Sequence, residues 1–342
     1  MKVVSLFSGC GGLDLGFKQA GFDFLWANEF DPKIYPTFAK NFPKVELDTR
    51  SITNIKPGEI PNCDGIIGGP PCQSWSAFGK GRGMNDPRGK LINSYIKIIE
   101  AKRPKFFLAE NVQGILFERH RQSLNKILNA FLNLGYNVNC LSLNASDYGV
   151  AQSRKRVFIV GYASSFDEYF FAPEKNRKKM TLKDVIYDLR KNAVSGLKFN
   201  KRNPKAKIKN HEYFHGSFSS HYMSRNRVKE WEDTSFTIQA SGRHAPCHPD
   251  SPKMKKIKKD VCVFESSKTP RRLTIRECAT IQSFPKNFKF DYLYLNDGYK
   301  MIGNAVPVKV AKKIALQIKK DFLRFDNLPI NFKKKGKLIK SF

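Results

Sequence analysis

Val3-Val4-Ser5-Leu6-Phe7-Ser8-Gly9-Cys10-Gly11-Gly12-Leu13-Asp14-Leu15-Gly16 carries a short apolar run through a glycine-rich turn into a helical pattern. Residues 3–7 read as a buried strand and 13–20 as the helix that follows it. Glycine between a strand and a helix lets backbone approach a ligand closely and exposes amide N–H groups. Alone, the pattern fits a nucleotide-like cofactor or merely a tight turn. Glu29 favours the cofactor, because it ends a second strand at 24–28. In such folds an acidic side chain about 20 residues on grips ribose hydroxyls.

The alternation continues outward. Residues 65–68 and 106–110 read as further buried strands; 31–41, 91–102 and 122–134 read as helices, the first opened by Asp31 and Pro32. Strands follow near 136–143 and 157–162. This order predicts an α/β sheet with helices on both faces. After 181–191 the pattern breaks, and 192–265 is rich in Lys, Asn, Ser, His and Arg. Regular structure returns with a helix at 274–282, a strand around 299–302 and a helix over 307–325 that packs back on the first domain. The expected division is 1–190, a loop-rich domain over 191–285, a returning segment over 286–330, and a basic tail at 331–342.

Composition sets the bounds. With 41% hydrophobic and 13% aromatic residues among 342, the chain can bury a core. No apolar run reaches the ~18 residues a membrane span needs, and the N-terminus lacks a signal peptide's apolar region. A cytoplasmic protein is expected. Sixty-one Lys and Arg against 30 Asp and Glu leave a net charge of +31, a field that draws polyanions. Nucleic acid is favoured over a membrane surface, for want of a basic amphipathic anchor. The runs KKIKK and NFKKKGKLIK read as exposed. Seven cysteines, odd in number and without a CxxC pair, argue against a disulfide framework or zinc ribbon. His244, Cys247, His248 and Cys262 fit no standard metal spacing and read as loop and surface residues, so no metal is expected.

The segment with chemistry in it is Gly68-Gly69-Pro70-Pro71-Cys72-Gln73-Ser74-Trp75-Ser76. Its cysteine follows a buried strand and so stands at the carboxyl edge of the sheet, where ligands bind. Two prolines fix the backbone and present the thiol on a rigid turn. A structural cysteine is a small buried apolar residue, a role that suits these neighbours poorly. Residues 77–89 then combine four glycines with Lys80, Arg82 and Arg88, a basic loop suited to closing over an anionic ligand.

FSGCGGLDLGF, GGPPCQSWS, the AENV of 109–112, the QSRKR of 152–156, RRLTIRECATIQSFP and GYKMIGNAVP occur in the order and spacing of the DNA cytosine-5 methyltransferases. The chain resembles that family nearly throughout, outside 192–265. The resemblance implies a Rossmann-like, S-adenosyl-L-methionine-dependent methyltransferase domain over 1–190 and a target-recognition domain over 191–285. NHEYFHGSFSSHYMSRNRVKEW and IQASGRHAPCHP are similar to the recognition region of a member that methylates the inner cytosine of GGCC.

The chemistry explains the residues. Carbon 5 of cytosine is too poor a nucleophile to attack a methyl donor unaided. A thiolate added to carbon 6 makes the ring an enamine, and Cys72 is the expected nucleophile. Glu110, at a strand end on the same sheet edge, suits a proton or hydrogen bond at ring nitrogen 3. Alternate residues of an extended QSRKR point the same way, so Arg154 and Arg156 are expected to face the site together. The resemblance implies that Arg156 contacts the carbonyl at carbon 2 while Arg154 steadies the same pocket.

The resemblance also implies the cofactor contacts. Phe7 would lie against the adenine or methionine part, the backbone of Gly9, Gly11, Gly12 and Leu13 near the methionine end, and Glu29 on the ribose. Asn304 and Val306 would line the methionine side, with Ile52 and Pro70 completing the set. The family's third motif usually has an Asp for the adenine amino group; here the position is Ser51, and Asp48 is the alternative.

A thiol cannot reach carbon 6 inside the base stack, so the cytosine must leave the duplex. Arg225, Arg227 and Arg243 are the candidates for reading guanine, with phosphate contact as their other role. Ser74, Arg82 and Arg88 complete the expected DNA contacts. The implied partner is double-stranded DNA, met by a monomer in the cytoplasm and nucleoid and paired in function, without a stable complex, with a restriction endonuclease. An RNA cytosine methyltransferase, an idle DNA-binding protein and a nicotinamide dehydrogenase are weaker readings; the last leaves the Pro-Pro-Cys run unexplained.

Overall fold

A computed structural model describes residues 1–71, 87–325, 332 and 335–341, the side chains of 87–89 excepted. Its strands are β1 (Lys2–Leu6), β2 (Asp23–Asn28), β3 (Glu46–Asp48), β4 (Gly65–Gly68), β5 (Phe106–Val112), β6 (Tyr136–Asn144), β7 (Lys155–Ala163), β8 (Val194–Ser195), β9 (Glu212–Tyr213), β10 (Met254–Lys258), β11 (Val261–Phe264) and β12 (Leu338–Ser341). The helices are α1 (Gly12–Gln19), α2 (Tyr35–Asn41), α3 (Pro87–Lys102), α4 (Arg121–Asn133), α5 (Leu182–Ile186), α6 (Ile275–Ile281), α7 (Leu295–Asn304) and α8 (Val308–Phe322).

Eight strands form one sheet in the order β12-β6-β7-β5-β4-β1-β2-β3. Strand β7 runs antiparallel to β5 and β6, and the remaining pairs are parallel. Strands of a sheet covered on both faces carry near-continuous apolar runs, and β4 (Gly65-Ile66-Ile67-Gly68) is buried along its whole length. Against one face pack Phe17 of α1 and Val310, Ile314 and Ile318 of α8. Against the other pack Ile92, Tyr95 and Ile99 of α3 with Ile127 and Phe131 of α4. Gly16 lets α1 and α8 touch, since a Cβ there would run into Ala311 and the backbone of Val308. The expected α/β architecture is therefore present. No helix among the described residues is long and apolar enough to cross a membrane.

A third core joins this sheet to the rest of the chain: α2, α5, α6 and α7 close around Ile238, Ala245 and Leu273 from the loop-rich region. The strands of that region are the short pairs β8-β9 and β10-β11. A small core of Tyr222, Val228 and Cys247 lies beneath the β10-β11 hairpin, with Met254 and Phe264 of the hairpin packed on it.

Four expectations need correction. Residues 299–302 belong to α7 instead of a strand, because Leu295, Tyr299 and Ile302 recur at helical spacing and bury one face. The helix expected from 31 begins at Tyr35; before it, the Asp31 carbonyl accepts the N–H groups of Ile34 and Tyr35 in a turn. The tail is not all solvated, since Leu338–Ser341 pairs in parallel with β6 at the sheet edge. Cys247, His248 and Cys262 are buried, not surface residues, and the His248 ring sits 3.5 Å from the Glu277 carboxylate.

Candidate functional site

The carboxyl ends of β1, β2, β4 and β5 converge on a cleft of about 720 Å³. Phe7, just past β1, takes a left-handed φ of 55°, and Gly9 follows at 57°. The chain thereby turns so that Gly9 donates its N–H to Glu29 Oε2 at 2.9 Å, while Asp31 donates to Glu29 Oε1 at 2.9 Å. Burial raises the Glu29 pKa, and these two amides oppose the shift. The carboxylate is thus fixed at the mouth of the cleft, a suitable acceptor for a sugar diol.

Opposite, a Cβ on Gly12 would lie 2.5 Å from Val306 O. The glycine turn and the segment 304–306 after α7 therefore form two tightly packed walls. Every expected cofactor residue lines the cleft except Gly11, which caps α1 at φ 89° against the Phe42 ring. Ser51 is in the wall and Asp48 is not; the Asp48 carboxylate instead pairs with Arg50 at 2.6 Å. Sequence reading missed Phe30, 62% exposed at the rim, and the Lys300–Asp31 pair at 2.7 Å. Phe30 directly follows Glu29, and an aromatic next to that acidic residue was the available signal. A rim aromatic, a fixed carboxylate and a wall of glycine backbone suit a nucleoside with an amino-acid tail, so the residues fit S-adenosylmethionine.

At the far end of the cleft, Gly69 brings the backbone to Glu110: a Cβ there would lie 3.3 Å from Glu110 Oε2. Asn111 Nδ2 donates to Pro70 O at 3.0 Å and ties the Pro-Pro segment to β5. Glu110 Oε1 lies 3.2 Å from Arg156 Nε. Burial raises the Glu110 pKa, and Arg156 and then Arg154 pull it back. A carboxyl that keeps its proton more readily than usual, beside a guanidinium, can donate to a ring nitrogen.

Arg156 pairs with Glu110 directly, whereas Arg154, though within electrostatic reach of both, spends its hydrogen bonds elsewhere. Arg154 is 1% exposed, and its guanidinium donates to Ile238 O at 3.1 Å, Gly303 O at 2.7 Å and Ala305 O at 3.1 Å. It braces β7 against the loop-rich region and the cleft wall. Arg227 also turns inward: 6% exposed, it donates to Tyr222 O at 2.8 Å and His221 O at 3.3 Å. Arg225 and Arg243 are exposed. Cys72, Ser74 and Arg82 lie outside the described residues, as does the Arg88 side chain.

Residues 1–320 match the model of the C-5 cytosine-specific DNA methylase family. The chain is 52% identical over 331 residues to the type II methyltransferase M.NgoPII of Neisseria gonorrhoeae, covering 95% of this chain and 97% of that one. It is 53% identical over 327 residues to the type II methyltransferase M.FnuDI of Fusobacterium nucleatum, covering 93% and 94%. Among solved structures, a DNA modification methyltransferase encoded within an E. coli prophage superposes with a TM-score of 0.71 at 25% identity, covering 94% of this chain and 99% of that one.

Proposed function

The chain belongs to the C-5 cytosine-specific DNA methylases, and from that premise we propose that it methylates the inner cytosine of GGCC, swung out of the duplex and held on Cys72. The coarser activity is that of a type II DNA cytosine-5 methyltransferase using S-adenosylmethionine. The observation that supports the base held on Cys72 is the Glu110–Arg156 pair beside Gly69-Pro70-Pro71, immediately before Cys72; the GGCC target is supported only by the likeness of residues 210–231 and 238–249 to the recognition region of a GGCC methyltransferase.

Phe7, Glu29 and the 304–306 wall hold the cofactor, which supplies an electrophilic methyl group. The Cys72 thiolate adds to carbon 6 of the base and pushes electron density toward carbon 5 and ring nitrogen 3. Glu110 gives or shares its proton at nitrogen 3, and Arg156 steadies the carbonyl at carbon 2. Once carbon 5 carries the methyl group, water or a hydroxyl takes the carbon 5 proton, the carbon 6–sulfur bond breaks to release the thiolate, and the aromatic ring is restored. Arg225 and Arg243 read guanine in the major groove. The protein acts as a monomer, paired in function with an endonuclease that cuts the same site.

The test incubates purified protein with labelled S-adenosylmethionine and plasmid DNA, then maps methyl groups at base resolution. Label confined to the inner cytosine of GGCC is expected. Label in another motif would remove the GGCC assignment, and label on RNA alone would remove DNA as the substrate.

A further inference from the structure

Six side chains that carry or can take up positive charge gather in the loop-rich region and the segment before α6: His221, Arg225, Arg227, Arg243, His244 and Arg272. The His221 and His244 rings meet edge to face, with centroids 6.0 Å apart. Arg227 and Arg272 are buried, their guanidinium groups 4.7 and 5.2 Å from the Tyr222 ring. His221, Arg225 and Arg243 are exposed, and His244 is half-buried. Glu277 spends its carboxylate on Arg271, and among the described residues no carboxylate pairs with any of the six. Like charges this close repel unless an anion joins them.

The cluster stands beside the cleft. Ile238 donates its N–H to Gln152 and accepts Arg154, and the Ala240 backbone packs on Gly303, next to the cleft residue Asn304. Gly242 then donates to Asn296 of α7 at 3.1 Å, and Arg243 and His244 follow. Four residues of chain reach at most about 14 Å, about four nucleotide steps along a strand. His244 therefore lies within the footprint of a duplex whose target base enters the cleft.

The geometry points to the His221–His244 pair as a seat for a backbone phosphate of the DNA, close to the target cytosine. A phosphate supplies the missing negative charge, and each ring can donate an N–H to its oxygens. A base edge offers acceptors without charge and would leave the cluster unmatched. The inference rests on duplex DNA as the substrate and leaves guanine reading to Arg225 and Arg243.

Burial, then His221, Arg227, Arg272 and Arg243, hold the His244 pKa below histidine's ordinary value, so this ring is neutral near pH 7 in the free protein. Tyr222 and Cys247, packed against the same turn, are kept protonated and uncharged by burial. A phosphate favours the charged ring, so the bound state holds more protons than the free one. Duplex affinity should thus rise as pH falls from about 8 toward 6 and level off below the free protein's His244 pKa.

The test follows the fluorescence anisotropy of two short labelled duplexes, one with GGCC and one with that site disrupted. Both are titrated with full-length protein and S-adenosylhomocysteine at fixed ionic strength. Wild-type affinity for both should rise several-fold from about pH 8 to pH 6. His221→Gln combined with His244→Gln should lose that rise, weaken both duplexes alike and lower the salt slope by about one phosphate. Its preference for GGCC should stay at the wild-type ratio, because a phosphate carries no sequence. A pH dependence unchanged in the variant, or a loss confined to the GGCC duplex, would overturn the assignment. Should the double variant not fold, His221→Gln alone, an exposed change, decides by the same readouts. Wild-type protein that binds both duplexes equally would remove GGCC and leave the seat to its pH dependence. Wild-type protein that binds neither would remove DNA as the substrate, and this seat with it.

Discussion

Arg156 Nε stands 3.2 Å from Glu110 Oε1 across two antiparallel strands, β5 and β7, and Glu110 lines the cleft. The pair works against burial. Desolvation raises the Glu110 pKa, and the guanidinium limits the rise without cancelling it. The carboxyl therefore keeps its proton to higher pH than a solvated glutamate while its orientation is fixed from the side.

Glu110→Gln keeps the shape and loses the proton. Turnover should fall about 10²–10⁴-fold, the usual range for a positioned general acid. Stability supplies a second readout. A raised folded-state pKa means that Glu110 stabilises the fold fully below its unfolded pKa and loses that contribution as pH rises through the folded value. Wild-type thermal stability should drop more between about pH 5 and pH 8 than the variant's. An equal drop in both would show that Glu110 is not held protonated in the fold.

Cys72→Ser should lower turnover by at least about three orders of magnitude while duplex binding survives, since a hydroxyl is a much weaker nucleophile. A duplex with 5-fluorocytosine at the target should trap wild-type protein as a covalent adduct, because fluorine at carbon 5 cannot leave as a proton would. The adduct, visible as a denaturation-resistant shift, should be absent in the variant. Wild-type protein that methylates ordinary DNA yet forms no adduct would count against covalent addition.

Arg154 holds three carbonyls, from Ile238, Gly303 and Ala305, that belong to the loop-rich region and to the cleft wall. Arg154→Ala removes a charged donor from all three carbonyls, two of them in buried hydrogen bonds. It should cost about 3 kcal/mol or more, read by urea unfolding. Affinities for DNA and for S-adenosylhomocysteine should both suffer, because one guanidinium braces both surfaces. A variant with wild-type stability and loss only of turnover would return Arg154 to the base pocket.

The same residue marks where sequence reading stops. Strand alternation, the glycine turn and the acid after β2 were legible, because they depend on local periodicity and chain-neighbour chemistry. The facing of Arg154 and Arg156 was not: extended geometry does aim alternate side chains alike, yet carbonyls 84 and about 150 residues away captured the first. Leu338–Ser341 escaped notice because its basic surroundings hid a short strand whose partner, β6, lies 200 residues upstream.

Arg227 engages two main-chain carbonyls and lies 4.7 Å over the Tyr222 ring. Arg227→Ala should therefore destabilise the loop-rich region by about 1–3 kcal/mol and weaken binding to all duplexes alike. Arg225→Ala and Arg243→Ala remove exposed side chains and should leave the melting temperature nearly unchanged. If they read guanine, each should cost ~1–3 kcal/mol of discrimination at one base pair, measured against duplexes substituted there. Uniform loss on every sequence, with a shallower salt dependence, would make them phosphate contacts.

Ser51 and Asp48 divide more sharply than the sequence allowed. Ser51 is in the cleft wall, where its hydroxyl lies 2.9 Å from Thr53 Oγ1. Asp48 has its carboxylate turned to Arg50, which holds its pKa down. Asp48→Asn should thus leave affinity for S-adenosylhomocysteine within about twofold of wild type, its effect confined to the exposed ion pair. Ser51→Asp puts an acceptor where the family usually has one and should tighten binding up to about tenfold, the worth of one charge-assisted hydrogen bond to an exocyclic amine. Inosine-containing cofactor analogues, which lack that amine, should show no such gain. Tightening of both analogues alike would mean that the new carboxylate acts through the net charge of the ligand, and loss of binding in Asp48→Asn would move the adenine contact to the Asp48–Arg50 pair.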